Sequence, residues 1–162
     1  MSEGFAISAL APDVKRDGFR CGTEPLDRYF REIVTQDIKR RVASCYVARE
    51  VATGVVAGFY TLSASSVPLT DLPEAMRKKL PRYPSVPVAR IGRLAVDERF
   101  KGMKLGAALL WDAIERAARS EVTVYGVAVD AKDEAAEGFY RHFGFVRLGT
   151  AGRVLVLAIK LT

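Results

Sequence analysis

The sequence predicts an α/β (α+β) fold in which a mostly antiparallel central sheet holds one splayed, parallel strand pair and carries flanking helices. Two β-rich runs, residues 44–49 and 55–66, are joined by Ala52-Thr53-Gly54, a hairpin signal that makes them antiparallel. Residues 86–130 then run as strand, glycine-containing loop, amphipathic helix and apolar strand, a βαβ crossover that makes its two strands parallel. At 162 residues, 49% of them hydrophobic and 27% charged, the chain suits one domain spanning 1–162 with a full core.

Residues 5–10 alternate as an opening strand that Pro12 breaks. Thr23, ahead of Glu24 and Pro25, is placed to cap a helix whose apolar face is Leu26, Tyr29, Phe30, Ile33 and Ile38. Its end, Lys39-Arg40-Arg41, either complements the helix C-terminus or contacts phosphate. Thr70 or Asp71 is expected to cap a short helix over 74–80, which Pro81 and Pro84 stop. Arg77, Lys78, Lys79 and Arg82 there are a solvated face or a patch for a polyanion, and charge alone does not choose. In the strand over 86–97, Gly92 marks a bulge or a close backbone approach that splays the strand from its neighbour. Arg90 and Arg93, set among Val88, Ile91, Leu94 and Val96, need either a carboxylate or an anionic substrate.

The loop from Arg99 to Gly106 leads straight into a helix with Leu105, Leu109, Ala113 and Ala117 on one face and Asp112, Glu115, Arg116 and Arg119 on the other. First-turn amides lack intrahelical acceptors and the helix dipole adds positive charge, so such a loop is an anion site suited to phosphate. It is not a nucleotide-hydrolase P-loop, because Ala107-Ala108 stands where Lys-Ser or Lys-Thr is required. The dinucleotide fingerprint fails for want of its third glycine. An apolar strand over 121–130 follows. A second helix has Asp133 and Glu134 in its first turn, Arg141 and His142 in its last, and Gly144 at the left-handed cap position. Its apolar face is Ala135, Ala136, Phe139, Tyr140 and Phe143. Residues 145–148, a turn at Gly149 and Gly152, and a strand over 154–159 close the chain.

A formal net charge of +6 and a pI near 9.5 favour polyanionic ligands without separating nucleic acid from phosphorylated cofactors. Cys21 and Cys45, the only cysteines, form neither a Cys-x-x-Cys motif nor a disulfide framework, and read as thiols in a reducing cytoplasm. With one histidine and no ligand spacing, no metal is expected. No cationic leader followed by an apolar run and no stretch of bilayer-spanning length is present, so neither secretion nor a membrane is expected.

Three segments together resemble the GNAT superfamily of N-acetyltransferases: Leu94-Ala95-Val96-Asp97, Lys101-Gly102-Met103-Lys104-Leu105-Gly106, and the stretch from Gly138 through Phe139, Tyr140, Arg141, His142 and Phe143 to Gly144 and Phe145. The resemblance implies acetyl-CoA as cofactor. Its pyrophosphate falls to the amides of the loop from Lys101 through Gly102, Met103, Lys104, Leu105 and Gly106 to Ala107, and its pantetheine arm to the backbone of Leu94, Ala95 and Val96, with Phe139 nearby. The superfamily pattern is Gln/Arg-x-x-Gly-x-Gly/Ala, so Lys101 replaces the first residue and Lys104 the middle glycine. Cys21-Gly22-x-x-Pro25-Leu26-Asp27, Gly58-Phe59-Tyr60, the segment Ile91-Gly92-Arg93-Leu94-Ala95-Val96-Asp97 and Phe139-Tyr140 are similar to the acetyltransferase toxins of bacterial toxin-antitoxin pairs. That likeness implies acetylation of the α-amine of aminoacyl-tRNA, a block of translation, and a ribbon-helix-helix antitoxin as partner. It leaves open a homodimer, the acetylation of a small amine or a peptide instead, and a nonenzymatic acyl-CoA or nucleic-acid binding module.

Acetyl transfer needs a neutral amine and a proton for the departing thiolate. An α-amine with a pKa of about 7.7–8.0 is partly neutral near pH 7, so a strong dedicated base is unnecessary. By the family motif Tyr140 is the catalytic proton donor; by helical spacing alone it is a core aromatic. Arg77, Lys78, Arg90 and Arg93 are the candidate patch for tRNA.

Overall fold

The computed structural model describes residues 4–149 and 152–160. Seven strands form one sheet in the order β1-β2-β3-β4-β5-β7-β6, with β4 and β5 parallel. They are β1 (Phe5–Ala9), β2 (Ser44–Glu50), β3 (Val56–Pro68), β4 (Ser85–Val96), β5 (Gly126–Asp130), β6 (Val146–Arg147) and β7 (Val154–Ala158). The hairpin β2-β3 is antiparallel as its turn signal requires, with Gly54 at φ 76° and a register shift between Ala48 and Arg49. The expected last strand over 154–159 is thus seen through Ala158.

By compactness the chain divides into two units, residues 1–63 with 92–113 and residues 64–91 with 114–162. The first holds α1 (Glu24–Arg28), a π-helical turn (Tyr29–Ile33) and α2 (Val34–Lys39). The periodicity predicts one regular helix here with Ile33 facing the core, but the wide turn adds a residue to the repeat. Val34 is therefore fully buried and Ile33 exposed. Thr23 caps through its carbonyl, which accepts from the Leu26 and Asp27 amides, and not through its side chain. Phe30 and Phe59 stack in this unit's core, Phe19 packs edge-on against Phe59, and Val34, Val47 and Val56 lie beside them. Gly58 is required by close packing: a Cβ there would meet Leu109 Cδ1 at 2.8 Å and the Ala95 carbonyl oxygen at 3.0 Å.

The second unit packs Val67, Leu69, Leu72, Val86, Val88, Ala128, Leu148 and Val156 together. The expected helix over 74–80 shortens to α3 (Glu74–Arg77), preceded by Pro73 in place of a side-chain cap at Thr70 or Asp71, because residues 69–71 form their own 3-10 turn. The strand expected over 121–130 starts only at Gly126. Val122 is exposed, and Tyr125 joins through its amide to the Pro87 carbonyl. Burial of Gly126, Val127, Ala128 and Val129 agrees with a strand covered on both faces.

Candidate active site

The glycine-containing loop lies in the first unit and opens α4 (Leu105–Arg119). Leu105, Leu109, Ala113 and Ala117 are all buried, as the four-residue repeat requires. Helical bonding begins where the Ala108 amide donates to the Lys104 carbonyl at 3.2 Å. The amides of Leu105, Gly106 and Ala107 precede that bond and so have no acceptor within the helix. Gly102 and Lys104 take left-handed backbone, at φ 83° and φ 61°. Lys104 thus adopts the conformation that the superfamily's glycine favours, at a cost of about 1–2 kcal/mol for a side-chain-bearing residue. Its side chain is exposed. The chemistry of the donor set, neutral amides at a helix start flanked by cations, fits a pyrophosphate.

The loop is strapped in place by a segment whose role the sequence did not disclose. Asp97, 1% exposed, accepts from the Arg20 amide at 3.0 Å, from the Arg99 amide at 2.9 Å, and from Arg99 Nε and Nη2 at 2.9 and 3.0 Å. Burial pushes this carboxyl up, yet the Arg99 guanidinium and the two amides hold it below the ordinary carboxylate range. Lys101 Nζ donates to the Cys21 carbonyl at 2.7 Å, so this ammonium braces the loop from behind. Gly22 sits at φ 98°, left-handed backbone that favours glycine, and a Cβ there would stand 2.9 Å from Glu98 Oε1. The Cys21 amide in turn donates to buried Asp27 at 2.7 Å. Cys21 and Cys45 are both free and buried, and burial raises both thiol pKa values.

At Gly92 the sequence predicts a bulge or a close backbone approach, and the close neighbour is instead a side-chain hydroxyl, that of Thr61. The Arg93 amide donates to the buried Thr61 hydroxyl at 3.1 Å, and a Cβ on Gly92 would stand 3.1 Å from the same oxygen. The parallel register with β5 covers only Val88–Ile91 of β4. Leu94 and Val96 are half-buried and Ala95 buried. Arg93 finds an aromatic partner, its guanidinium carbon lying 3.5 Å from the Tyr29 ring centre, while the Tyr29 hydroxyl donates to Asp37 at 2.7 Å.

The second unit supplies α5 (Glu134–His142), capped by the Asp133 side chain, which accepts from the Ala136 amide, and ended by Gly144 at φ 95°. Tyr140 on this helix is 7% exposed, its ring 5.2 Å from Phe139 and 5.6 Å from Phe145. Burial, followed by the Asp130 carboxylate, raises its phenol pKa to about 12. No buried side-chain oxygen or nitrogen among the described residues lacks a hydrogen-bond partner. Arg90 resolves its alternatives toward a carboxylate: Nη1 meets both Asp130 oxygens at 2.9 and 3.0 Å and Nε donates to Ser65 at 3.2 Å. Arg77 is half-buried and Lys78 exposed at the end of α3. Arg77, Lys78 and Arg90 belong to this unit and Arg93 to the other. No helix among the described residues is long and apolar enough to cross a membrane.

The acetyltransferase (GNAT) family model matches residues 10–145. A tRNA-acetylating toxin of Mycobacterium tuberculosis (strain ATCC 25618 / H37Rv) is 35% identical over 144 residues, 88% of this chain and 84% of that protein. Among solved structures, AtaT complexed with acetyl-methionyl-tRNAfMet superposes with a TM-score of 0.86 at 28% identity, over 95% of this chain and 94% of that one. AtaTR bound with AcCoA gives 0.80 at 27% identity, over 97% and 95% of the two chains. The chain belongs to the acetyltransferase (GNAT) family.

Proposed function

We propose that this protein is an acetyl-CoA-dependent N-acetyltransferase that acetylates the α-amine of aminoacyl-tRNA, and that it acts as a toxin by blocking translation. The observation that carries this reading is the 35% identity to a tRNA-acetylating toxin across 88% of the chain. The family match runs through both compact units, which supports one acetyltransferase domain over 1–162. Substrate aminoacyl-tRNA puts the activity in the cytoplasm. A ribbon-helix-helix antitoxin is the protein partner this reading implies, and a second copy of the chain is a further one.

Acetyl-CoA, when bound, supplies an acetyl group activated as a thioester. The amides of Leu105, Gly106 and Ala107 hold its pyrophosphate, with Gly102, Met103 and Lys104 shaping the turn and Lys101 bracing it. The backbone of Leu94, Ala95 and Val96 lines the pantetheine arm, and Phe139 packs beside it. The incoming α-amine needs no strong base, being partly neutral near pH 7 with a pKa of about 7.7–8.0. Tyr140 Oη donates toward the departing sulfur. With its phenol near 12 and a thiol near about 8.5, complete proton transfer is uphill by about 5 kcal/mol. Tyr140 therefore acts by a hydrogen bond that strengthens as charge develops on sulfur. Of the candidate patch, Arg77 and Lys78 supply cationic contacts to the RNA, since Arg90 is paired with Asp130 and Arg93 lies on the Tyr29 ring.

The decisive experiment incubates the protein with labelled acetyl-CoA and bulk charged tRNA, then identifies the acetylated amino acid. Label is expected on the α-amine of one or a few aminoacyl-tRNAs. Equal turnover of free amines would replace the reading with a small-amine or peptide acetyltransferase. Binding of acetyl-CoA without its consumption by any amine would replace it with a nonenzymatic module.

A further inference from the structure

α5 carries a second feature one turn before Tyr140. The Glu137 side chain, only 10% exposed, gathers three guanidiniums: Arg141 Nε at 3.0 Å, Arg153 Nη1 at 3.1 Å and Arg147 Nη1 at 3.7 Å. The first lies on α5, the last on β6, and Arg153 immediately precedes β7. Arg147 is fixed further by donating from Nε to the Gly152 carbonyl at 3.1 Å. Three cations on one carboxylate leave a local excess of two positive charges, and Arg141 holds Glu137 below the ordinary carboxylate range with help from Arg147 and Arg153. The three arginine side chains stay 51%, 36% and 41% exposed. A guanidinium has five N–H donors, and among the described residues Arg141 spends only Nε and Arg153 only Nη1.

We propose that Arg141, Arg147 and Arg153, positioned by Glu137, form a phosphodiester-binding site for the backbone of RNA. The inference rests on the aminoacyl-tRNA reading above and adds a contact site outside the Arg77, Lys78, Arg90 and Arg93 patch. A cluster built only to staple α5 would balance its charges, whereas this one is overcharged and half-exposed. Planar guanidiniums match phosphate oxygens in pairs, and holding them in advance lowers the ordering cost of the contact. Arg141 directly follows Tyr140 on α5. An RNA that delivers its aminoacylated end to Tyr140 therefore brings phosphates to the same helix end.

The test titrates bulk tRNA against wild type, Arg141→Ala, Arg153→Ala, Arg141→Lys and Glu137→Gln over a range of salt, with thermal melts and acetyl-CoA affinity measured in parallel. Each alanine variant is expected to weaken binding several-fold and to lower the slope of log K against log salt by about 1, with acetyl-CoA affinity unchanged. Arg141→Lys keeps the slope. Glu137→Gln removes the carboxylate that holds the guanidiniums together and leaves all three cations, so tRNA binding is expected to weaken with the salt slope kept. Slopes unchanged in both alanine variants, or tRNA binding untouched by Glu137→Gln, would overturn the site. Loss of competition by an acidic peptide in these variants with tRNA binding untouched would also overturn it, in favour of a protein partner. Wild type that fails to bind tRNA at all would sink the functional reading itself, a result distinguishable from failure of the arginine site.

Discussion

The loop at the start of α4 and the arginine cluster on α5 both present donors suited to anions, yet they are built from opposite materials. The loop offers neutral amides from consecutive residues, and its geometry requires left-handed backbone at Gly102 and Lys104. It is held by a single buried carboxylate, Asp97, and by the Cys21-Gly22 segment. The cluster offers charged side chains from residues 137, 141, 147 and 153 and needs a carboxylate to keep its like charges together. Amide donors recognise one phosphate geometry at short range. Guanidiniums act over a Debye length of about 8–10 Å and tolerate many backbone positions. The first material suits a cofactor that binds in one pose, the second a long polyanion.

The widest separation of binding from chemistry comes from Tyr140→Phe. It is expected to lower the acetylation rate by about 100-fold while leaving acetyl-CoA and tRNA affinities nearly intact, as single-turnover kinetics and titrations will read. Unchanged turnover would remove Tyr140 from the mechanism. Because burial raises the phenol to about 12, folding keeps it neutral. That contribution to stability is complete below the unfolded value of about 10 and is lost as pH rises toward about 12, so the phenylalanine variant should melt less steeply with alkali.

Asp97→Asn strikes the loop alone. Loss of the charged acceptor from Arg99 and two amides should cost about 2–3 kcal/mol, seen as a lower Tm, and should weaken acetyl-CoA binding with tRNA affinity preserved. Equal damage to both affinities would show that the two regions are not separable. Acid should test both carboxylates together. Asp97 and Glu137 are each held below the ordinary range, so their stabilisation is present above the unfolded value near about 4 and fades as pH falls below it. Glu137→Gln should flatten the acid limb of the stability profile. The smallest effect belongs to Lys104→Gly. Relief of left-handed strain against the added chain entropy leaves stability within about 1 kcal/mol of wild type. Acetyl-CoA affinity should stay within a few-fold if amides hold the pyrophosphate, and a drop of tenfold or more would assign that contact to the Lys104 ammonium instead.

Sequence reasoning succeeded wherever the determining residues were neighbours in the chain. The hairpin at Gly54, the α4 stripe of Leu105, Leu109, Ala113 and Ala117, and the Gly144 cap all follow from local backbone rules, and the structure contains each of them. It fell short where a non-local contact decided the outcome. Periodicity placed Ile33 inward because it has no means of sensing the π turn that gives that place to Val34. The strand over 121–130 lost its first residues because the parallel register with β4 begins at Gly126, with Tyr125 joined ahead of it by a single amide. Of the α5 cluster, only the Glu137 and Arg141 pair, four residues apart, had a sequence signal.

By itself, then, the sequence determined the local anion loop, the order of helices and strands, and the resemblance that made acetyl-CoA the expected cofactor. Tertiary structure alone decided that Arg90 spends its charge on Asp130 and Arg93 its face on Tyr29. It also decided that Lys101 turns back to Cys21 and that Lys104 takes the glycine's conformation. The reason is physical: a backbone turn is fixed by a few adjacent torsions, whereas the partner of a long cationic side chain is fixed by whichever carboxylate, carbonyl or ring the fold brings within reach.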